Sequence, residues 1–393
     1  MRHAFIVPLV GGQVLGQEKS LGSRPEYLLS YTPFKSNDSH IVNYYGDVPY
    51  HLLDEGTPEL KKVDVIGTTC PCAGLSTLSH HASPDAAANE WMYRTAEYVL
   101  ENLKPEVFWG ENSPQFANKL GQPVVQRLLS IARLNDYSMS IYRTRSLLHG
   151  LPQVRERSFY FFWRGEKVPL LNYFSREVKP IEKVLDTIPK RAKQRELTNE
   201  KTPSKHDSLY RFVLEHVEGG ISHVEYYDRI EKTYNPMDYL EDKGYTYDKV
   251  AEWMRAQGDE RTAARCDRMY AKLKAGGSIM RRQTTVPKHH IGAFVGHLPT
   301  ALTHYREDRY LTVRECLSIM DMPSDFQLLD PRANLNHVCQ NVPVSTAADM
   351  AHEVSEALSG KRERVDAYLV KQWNHNHEHE IVDYRRNTVL EFV

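Results

Sequence analysis

Residues 63–76 read Val63-Asp64-Val65-Ile66-Gly67-Thr68-Thr69-Cys70-Pro71-Cys72-Ala73-Gly74-Leu75-Ser76. The β-branched run from Val63 predicts a strand, and the proline and glycine beyond it predict a turn. Cys72 therefore falls on a loop just past a strand's carboxyl end, where open α/β sheets gather their catalytic groups. A cysteine in that position is ordinarily an inert buried hydrophobe, so its meaning depends on what neighbouring strand ends deliver.

Working outward, short apolar runs (Phe5–Val10, Tyr27–Tyr31, Val107–Trp109, Ser138–Tyr142, Ser158–Trp163) alternate with helix-length amphipathic segments (Ala86–Leu103, Pro123–Leu134). This alternation predicts an α/β fold with a mostly parallel, doubly wound sheet over residues 1–165. The first run leads into Val10-Gly11-Gly12, a glycine turn opening toward a helix, where ligands of such sheets sit. Val107–Trp109 delivers Glu111 and Asn112, and Gly150-Leu151-Pro152-Gln153-Val154-Arg155-Glu156-Arg157 enters the last run. Alternation along an extended chain points Arg155 and Arg157 to one face.

The remaining sequence has a different texture. Residues 166–304 lose the alternation; Met237–Lys274 reads as two polar helices, and Ala271–His290 holds Lys272, Lys274, Arg281, Arg282 and Lys288 without an acid. A basic run is either a solvated loop or a surface for phosphates. Apolar periodicity returns over Leu311–Met322, behind a Thr312-to-Glu315 capping pattern, and over Ser345–Leu358. From Gly360 the chain is charged; His375, His377 and His379 with Glu378 and Glu380 could ligate a metal, but a solvated tail is the expectation, and no metal is expected.

With 50 Lys and Arg against 51 Asp and Glu in 393 residues, global charge carries no nucleic-acid signal. Five scattered cysteines read as reduced thiols and not as a disulfide framework. No apolar stretch of about 18 residues occurs, so no membrane partner is expected and the expected location is cytoplasmic, for a chain expected to be bacterial or phage-encoded in a bacterial host.

In order and wording these segments resemble the DNA (cytosine-5) methyltransferase family, over about residues 1–165 and 305–357. The Pro71-Cys72 turn is similar to the family's Pro-Cys-Gln-x-Phe-Ser, Glu111-Asn112 to Glu-Asn-Val, and Gly150–Arg157 to Gly-Val-Pro-Gln-x-Arg-x-Arg. Arg309-Tyr310-Leu311-Thr312-Val313-Arg314-Glu315 and Gln340-Asn341-Val342-Pro343 look like its two later motifs. The resemblance implies a Rossmann-like methyltransferase sheet (1–165 and 305–360), an inserted target-recognition domain (166–304) and a C-terminal extension (361–393). It further implies S-adenosylmethionine as donor, duplex DNA as partner, a monomer, and a cytosine flipped from the helix because stacking hides its carbons 5 and 6.

The chemistry matches these residue types. Carbon 5 of cytosine is a poor nucleophile until a thiolate adds to carbon 6, and an acid at nitrogen 3 and a guanidinium at oxygen 2 stabilise the adduct. By the resemblance, Cys72 attacks, Glu111 engages nitrogen 3, and Arg157 with Arg155 holds oxygen 2. Val10, Gly11 and Gly12 would lie under the donor, Thr32 or Asp38 at its ribose, Asp47 at its adenine end and Asn341 near its methionine part. Ser76, Arg281, Arg282, Thr284 and Thr285 would contact DNA.

There are departures from the pattern. Leu9 stands where the family's Phe-x-Gly-x-Gly-Gly has its first glycine, Ala73 replaces a glutamine and Ser113 replaces a valine. They leave open a DNA-binding pseudoenzyme with impaired donor binding, or a related enzyme with an altered donor.

Overall fold

The computed structural model describes residues 1–56, 58–71, 73–76, 82–195, 202–226, 229, 236–277, 290–294 and 302–382. Cys72, Arg281, Arg282, Thr284 and Thr285 lie outside the described residues. The chain divides into two compact units: Met1–Lys179 with Leu317–Leu329 and Gln340–Val393, and Pro180–Cys316 with Asp330–Cys339.

The first unit is built on strands β1 (His3–Ile6), β2 (Leu28–Ser30), β3 (Tyr50–Leu52), β4 (Val65–Thr68), β5 (Val107–Asn112), β6 (Tyr137–Arg145), β7 (Glu156–Arg164), β8 (Leu369–Trp373) and β9 (Glu378–Val382). They form one nine-stranded sheet in the order β9-β8-β6-β7-β5-β4-β1-β2-β3. Strands β1 to β5 run parallel, as does β8 beside β6, whereas β7 is antiparallel to both β5 and β6 and β9 to β8. The expected doubly wound α/β sheet is present, with reversed strands at one side. Helices α1 (Gly12–Leu21), α2 (Lys35–Tyr45), α3 (Ala87–Tyr98), α4 (Gln122–Leu134) and α5 (Val344–Leu358) belong to the same unit.

Alternation sorts the strand residues into two cores. Ile66, Phe108, Tyr160 and Phe162 join Met92, Ala96, Val124 and Leu128 of α3 and α4, while Val65, Trp109, Phe159 and Phe161 join Met350 and Val354 of α5. Each face thus carries aromatic side chains whose burial stabilises the fold by roughly 1.5–3 kcal/mol apiece. Burial on both faces is why β5 and β7 read as unbroken apolar runs.

His375, His377, Glu378, His379 and Glu380 are exposed to solvent as expected, but part of the charged tail is built into the sheet, because Leu369–Trp373 and Glu378–Val382 pair with each other and β8 extends the sheet beyond β6. Its polar Gln372 obscured the pattern; that side chain is buried, accepting from the Leu171 N–H and donating to its carbonyl, each at 2.8 Å. Among the described residues no cluster of three His, Cys, Asp or Glu could hold a metal, and no helix is long and apolar enough to cross a membrane.

The second unit has a small core of its own, with Tyr210, Phe212, Val250, Met254, Ala263 and Cys266. The stretch expected to form two polar helices forms three, Pro236–Asp242, Tyr247–Ala256 and Glu260–Lys274. The Thr312–Glu315 box is reciprocal: the Glu315 carboxylate accepts the Thr312 N–H at 2.8 Å and the Thr312 hydroxyl accepts the Glu315 N–H at 3.2 Å.

Candidate active site

All parallel strands present their carboxyl ends on one edge, and the antiparallel β7 begins there. The edge therefore collects the ends of β1, β4 and β5 and the start of β7. Glu111 is opposite Phe159 in the β5–β7 register, so Arg157, two residues earlier on the same face, is its diagonal neighbour. The ion pair follows: Arg157 Nε lies 3.1 Å from Glu111 Oε2. Glu111 and Arg155 are each only 1% exposed. Burial pushes the Glu111 carboxyl up, against the opposing pull of Arg157 and then Arg155. The result is a desolvated acid flanked by two guanidinium groups on one face, an arrangement able to hold a proton and stabilise a charge developing on a ring.

The turn beyond β4 is anchored from two sides. Ser113 Oγ donates to the Leu75 carbonyl at 2.6 Å, which gives the serine that replaces the family's valine a definite task. Asn89 packs on Gly74, leaving no room for a side chain there. Cys70, fully buried, lies 3.2 Å from Thr68 Oγ1, and burial pushes its thiol up, so it stays protonated and inert. Ser76 is half-buried at the end of this turn.

On the β1 edge, Gly11 has φ 104°, and a Cβ on Gly12 would lie 1.9 Å from the Val342 carbonyl oxygen. The Gly12 N–H donates to Asn341 Oδ1 at 2.8 Å, so two segments separated by 329 positions build one turn. Val10 is buried within it. Leu9 has φ 49°, the left-handed region its glycine counterpart adopts freely, yet its side chain is 6% exposed and packs in the core. The leucine therefore carries the strain of a conformation that a glycine would adopt without it.

That combination predicts an inverted substitution order. Leu9→Ala should lose burial and keep the strain, whereas Leu9→Gly should lose burial and recover roughly 1–2 kcal/mol of backbone strain. The glycine variant is expected to melt above the alanine variant, the reverse of the usual ranking; thermal denaturation of the pair checks it.

Asp38, a candidate for the ribose, faces inward. It is buried, accepts the Leu9 N–H at 2.9 Å and the Tyr50 hydroxyl at 2.8 Å, and is pushed up to about 7 by that burial. It supports Leu9 from below. Because the folded state binds this proton more tightly than the unfolded chain, stability from this group is present at low pH and falls as pH rises from about 4 through 7. The full swing is on the order of 4 kcal/mol. Asp38→Asn keeps an acceptor for Leu9 and removes the titration, so its melting temperature relative to the parent should rise between pH 5 and pH 8.

The two remaining donor candidates separate. Thr32, just past β2, donates its N–H to both oxygens of Asp54, at 3.0 and 3.1 Å. Asp47 does not reach this edge: α2 carries the chain back across the sheet, and Asp47 precedes β3 on the amino side, exposed and 2.6 Å from Arg24. Asp54 follows β3 at the carboxyl edge. Sequence reasoning missed it because Tyr50–Leu52 is too short to read as a strand.

The profile of the C-5 cytosine-specific DNA methylase family matches residues 42–356. The chain belongs to that family. No curated protein matches it by sequence. Among solved structures this cytosine methyltransferase is similar to a DNA modification methyltransferase encoded within an Escherichia coli prophage, at 13% identity and TM-score 0.55, over 91% of this chain and 99% of that one. It is similar to a methyltransferase of Entamoeba histolytica at 11% identity and TM-score 0.56, over 91% and 98%. A Spodoptera frugiperda DNMT2 variant matches at 13% identity and TM-score 0.50, over 91% and 100%. These likenesses support the Rossmann-like fold, and family membership implies a methyl donor and a DNA substrate.

One more group of the methyltransferase carries no signal in the sequence. The loop bearing Arg155 is tied to α5: Thr346 Oγ1 donates to Ser146 Oγ at 3.3 Å, and the Ser146 N–H donates to the Arg155 carbonyl at 3.0 Å. His149 bridges Asp349 and Thr144, each at 2.8 Å, and burial keeps this imidazole below its ordinary value despite Asp349. Residues 200 positions apart cannot be paired by reading local pattern.

Proposed function

We propose that this methyltransferase transfers a methyl group from S-adenosylmethionine to carbon 5 of a cytosine flipped out of duplex DNA, through a covalent adduct with Cys72. The observation that carries the reading is the buried Glu111–Arg157 pair, 3.1 Å apart, beside Arg155 on the edge where the chain leaves β4 toward Pro71. The Cys72 thiolate adds to carbon 6, and the displaced electron pair makes carbon 5 nucleophilic. Glu111, whose desolvated setting holds its proton to a higher pH than an exposed glutamate, stabilises nitrogen 3, and Arg157 and Arg155 hold oxygen 2. Once carbon 5 has taken the methyl group, loss of its proton to water re-forms the 5,6 double bond, breaks the carbon 6–sulfur bond and releases the thiolate.

The donor, when bound, supplies an electrophilic methyl group. Val10, Gly11 and Gly12 form a turn close to the backbone of the segment beginning at Asn341, and Asp54 with the Thr32 N–H presents polar groups at the ends of β2 and β3. Leu9 holds a left-handed angle, a conformation that glycine also adopts, within that turn. Residues 1–165 and 305–360 would carry the chemistry, with Ser76 among the DNA contacts, and 166–304, with Arg281, Arg282, Thr284 and Thr285, the recognition of DNA.

Purified protein incubated with mixed-sequence duplex and S-adenosylmethionine should yield 5-methylcytosine on nucleoside mass spectrometry. Tight duplex binding with no 5-methylcytosine would overturn the reading.

A further inference from the structure

Helix 260–274 of the second unit places Arg261, Arg265, Arg268 and Lys272 at spacings of four, three and four residues. At 3.6 residues per turn these fall within roughly 60° of arc along about 16 Å of axis. All four side chains are exposed. The opposite face, with Ala263 and Cys266, is committed to the core of the unit.

The acids of the helix lie off this stripe. Glu260 and Asp267 both pair with Arg255 of the preceding helix, and among the described residues none of the four cations forms an ion pair. Ala264, Ala271 and Ala275 border the stripe on one side, leaving it open to close approach. Like charges three and four residues apart destabilise a helix, so an isolated surface helix would interleave acids among them. An anionic partner with regularly spaced charge reverses that penalty, and a duplex offers one phosphate per 3.4 Å of each strand's axis, about five along this stripe.

We propose that the Arg261–Arg265–Arg268–Lys272 face docks on the phosphate backbone of duplex DNA, supplying affinity without reading bases. This rests on duplex DNA being the substrate. In the sequence the helix is followed by an acid-free segment holding Arg281 and Arg282.

The test is fluorescence anisotropy with a 30-base-pair duplex over a salt series, on the parent and on a variant with all four residues changed to Gln. Glutamine is a good helix former and the change relieves repulsion, so the variant should melt no lower than the parent. Each lost phosphate contact lowers the slope of log affinity against log salt by about 0.9, so the variant's slope should be shallower by about 3 to 4 and its binding at least roughly tenfold weaker. A second variant with the three arginines changed to Lys should keep the parental slope. Equal slopes for parent and Gln variant overturn the inference, while 5-methylcytosine formed in the same parent samples leaves the methyltransferase reading standing. A parent that neither binds nor methylates the duplex overturns that reading and the inference with it. A slope defect found on structured RNA but not on the duplex replaces DNA with RNA as the partner.

Discussion

Cys72→Ser is expected to lower the rate of methyl transfer by roughly 10⁴-fold or more, with duplex affinity essentially unchanged. The reason is acidity. A cysteine thiol has a small thiolate fraction at neutral pH that cationic surroundings enlarge, whereas a serine hydroxyl has effectively no anion to offer without an adjacent base. Cys70 cannot substitute for it, because that thiol is fully buried and pushed toward the protonated form. Single-turnover methyl transfer and anisotropy separate chemistry from binding. A duplex carrying 5-fluorocytosine adds a second readout: fluorine does not leave as a cation, so the parent should remain covalently attached and the serine variant should not. Parental turnover in Cys72→Ser would remove the covalent mechanism.

Glu111→Gln should reduce the rate by about 10²–10⁴-fold, the usual contribution of a positioned general acid. Its pH profile is the sharper test. Burial outweighs Arg157 and Arg155, so Glu111 keeps its proton to a higher pH than an exposed glutamate. The stabilisation associated with that proton is complete below the ordinary carboxylate range and lost as pH rises through the raised value. In the parent, activity governed by protonated Glu111 should therefore decline on the alkaline side, and the glutamine variant should lack that limb. Glutamine retains an oxygen toward Arg157, so the loss of stability should be smaller than the roughly 3–5 kcal/mol expected when a buried pair is broken outright. An unchanged alkaline limb in Glu111→Gln would assign the titration to another group.

Local pattern carried the reading where a residue's role depends on its own strand. Val65–Thr68, Val107–Asn112 and Glu156–Arg164 were legible as apolar runs, and with them the edge that brings Glu111, Arg155 and Arg157 together. Pattern failed where a side chain's partner is remote or its strand is short. Gln372 reads as a tail residue until its bonds to Leu171 are seen, and Asp54 reads as a loop acid until Tyr50–Leu52 is known to end just before it. Asp47 was misplaced for the complementary reason. The motif around it is right in wording, but α2 has already returned the chain to the far edge. Leu9 was legible as a departure, whereas the left-handed backbone beneath it was not.

The bond from Gly12 to Asn341 also sets a clock. A ribosome adding about 5–20 residues each second needs roughly 15–60 s to travel from one to the other, across the 329 positions between them. Throughout that interval the glycine turn lacks its acceptor, and the loop of Arg155 lacks the ties from Thr346 and Asp349. A nascent chain can lay down most of its sheet and still have no finished donor turn. Completion of the glycine turn is thereby deferred until Asn341 has been made, and a chain terminated ahead of it lacks the Gly12 acceptor.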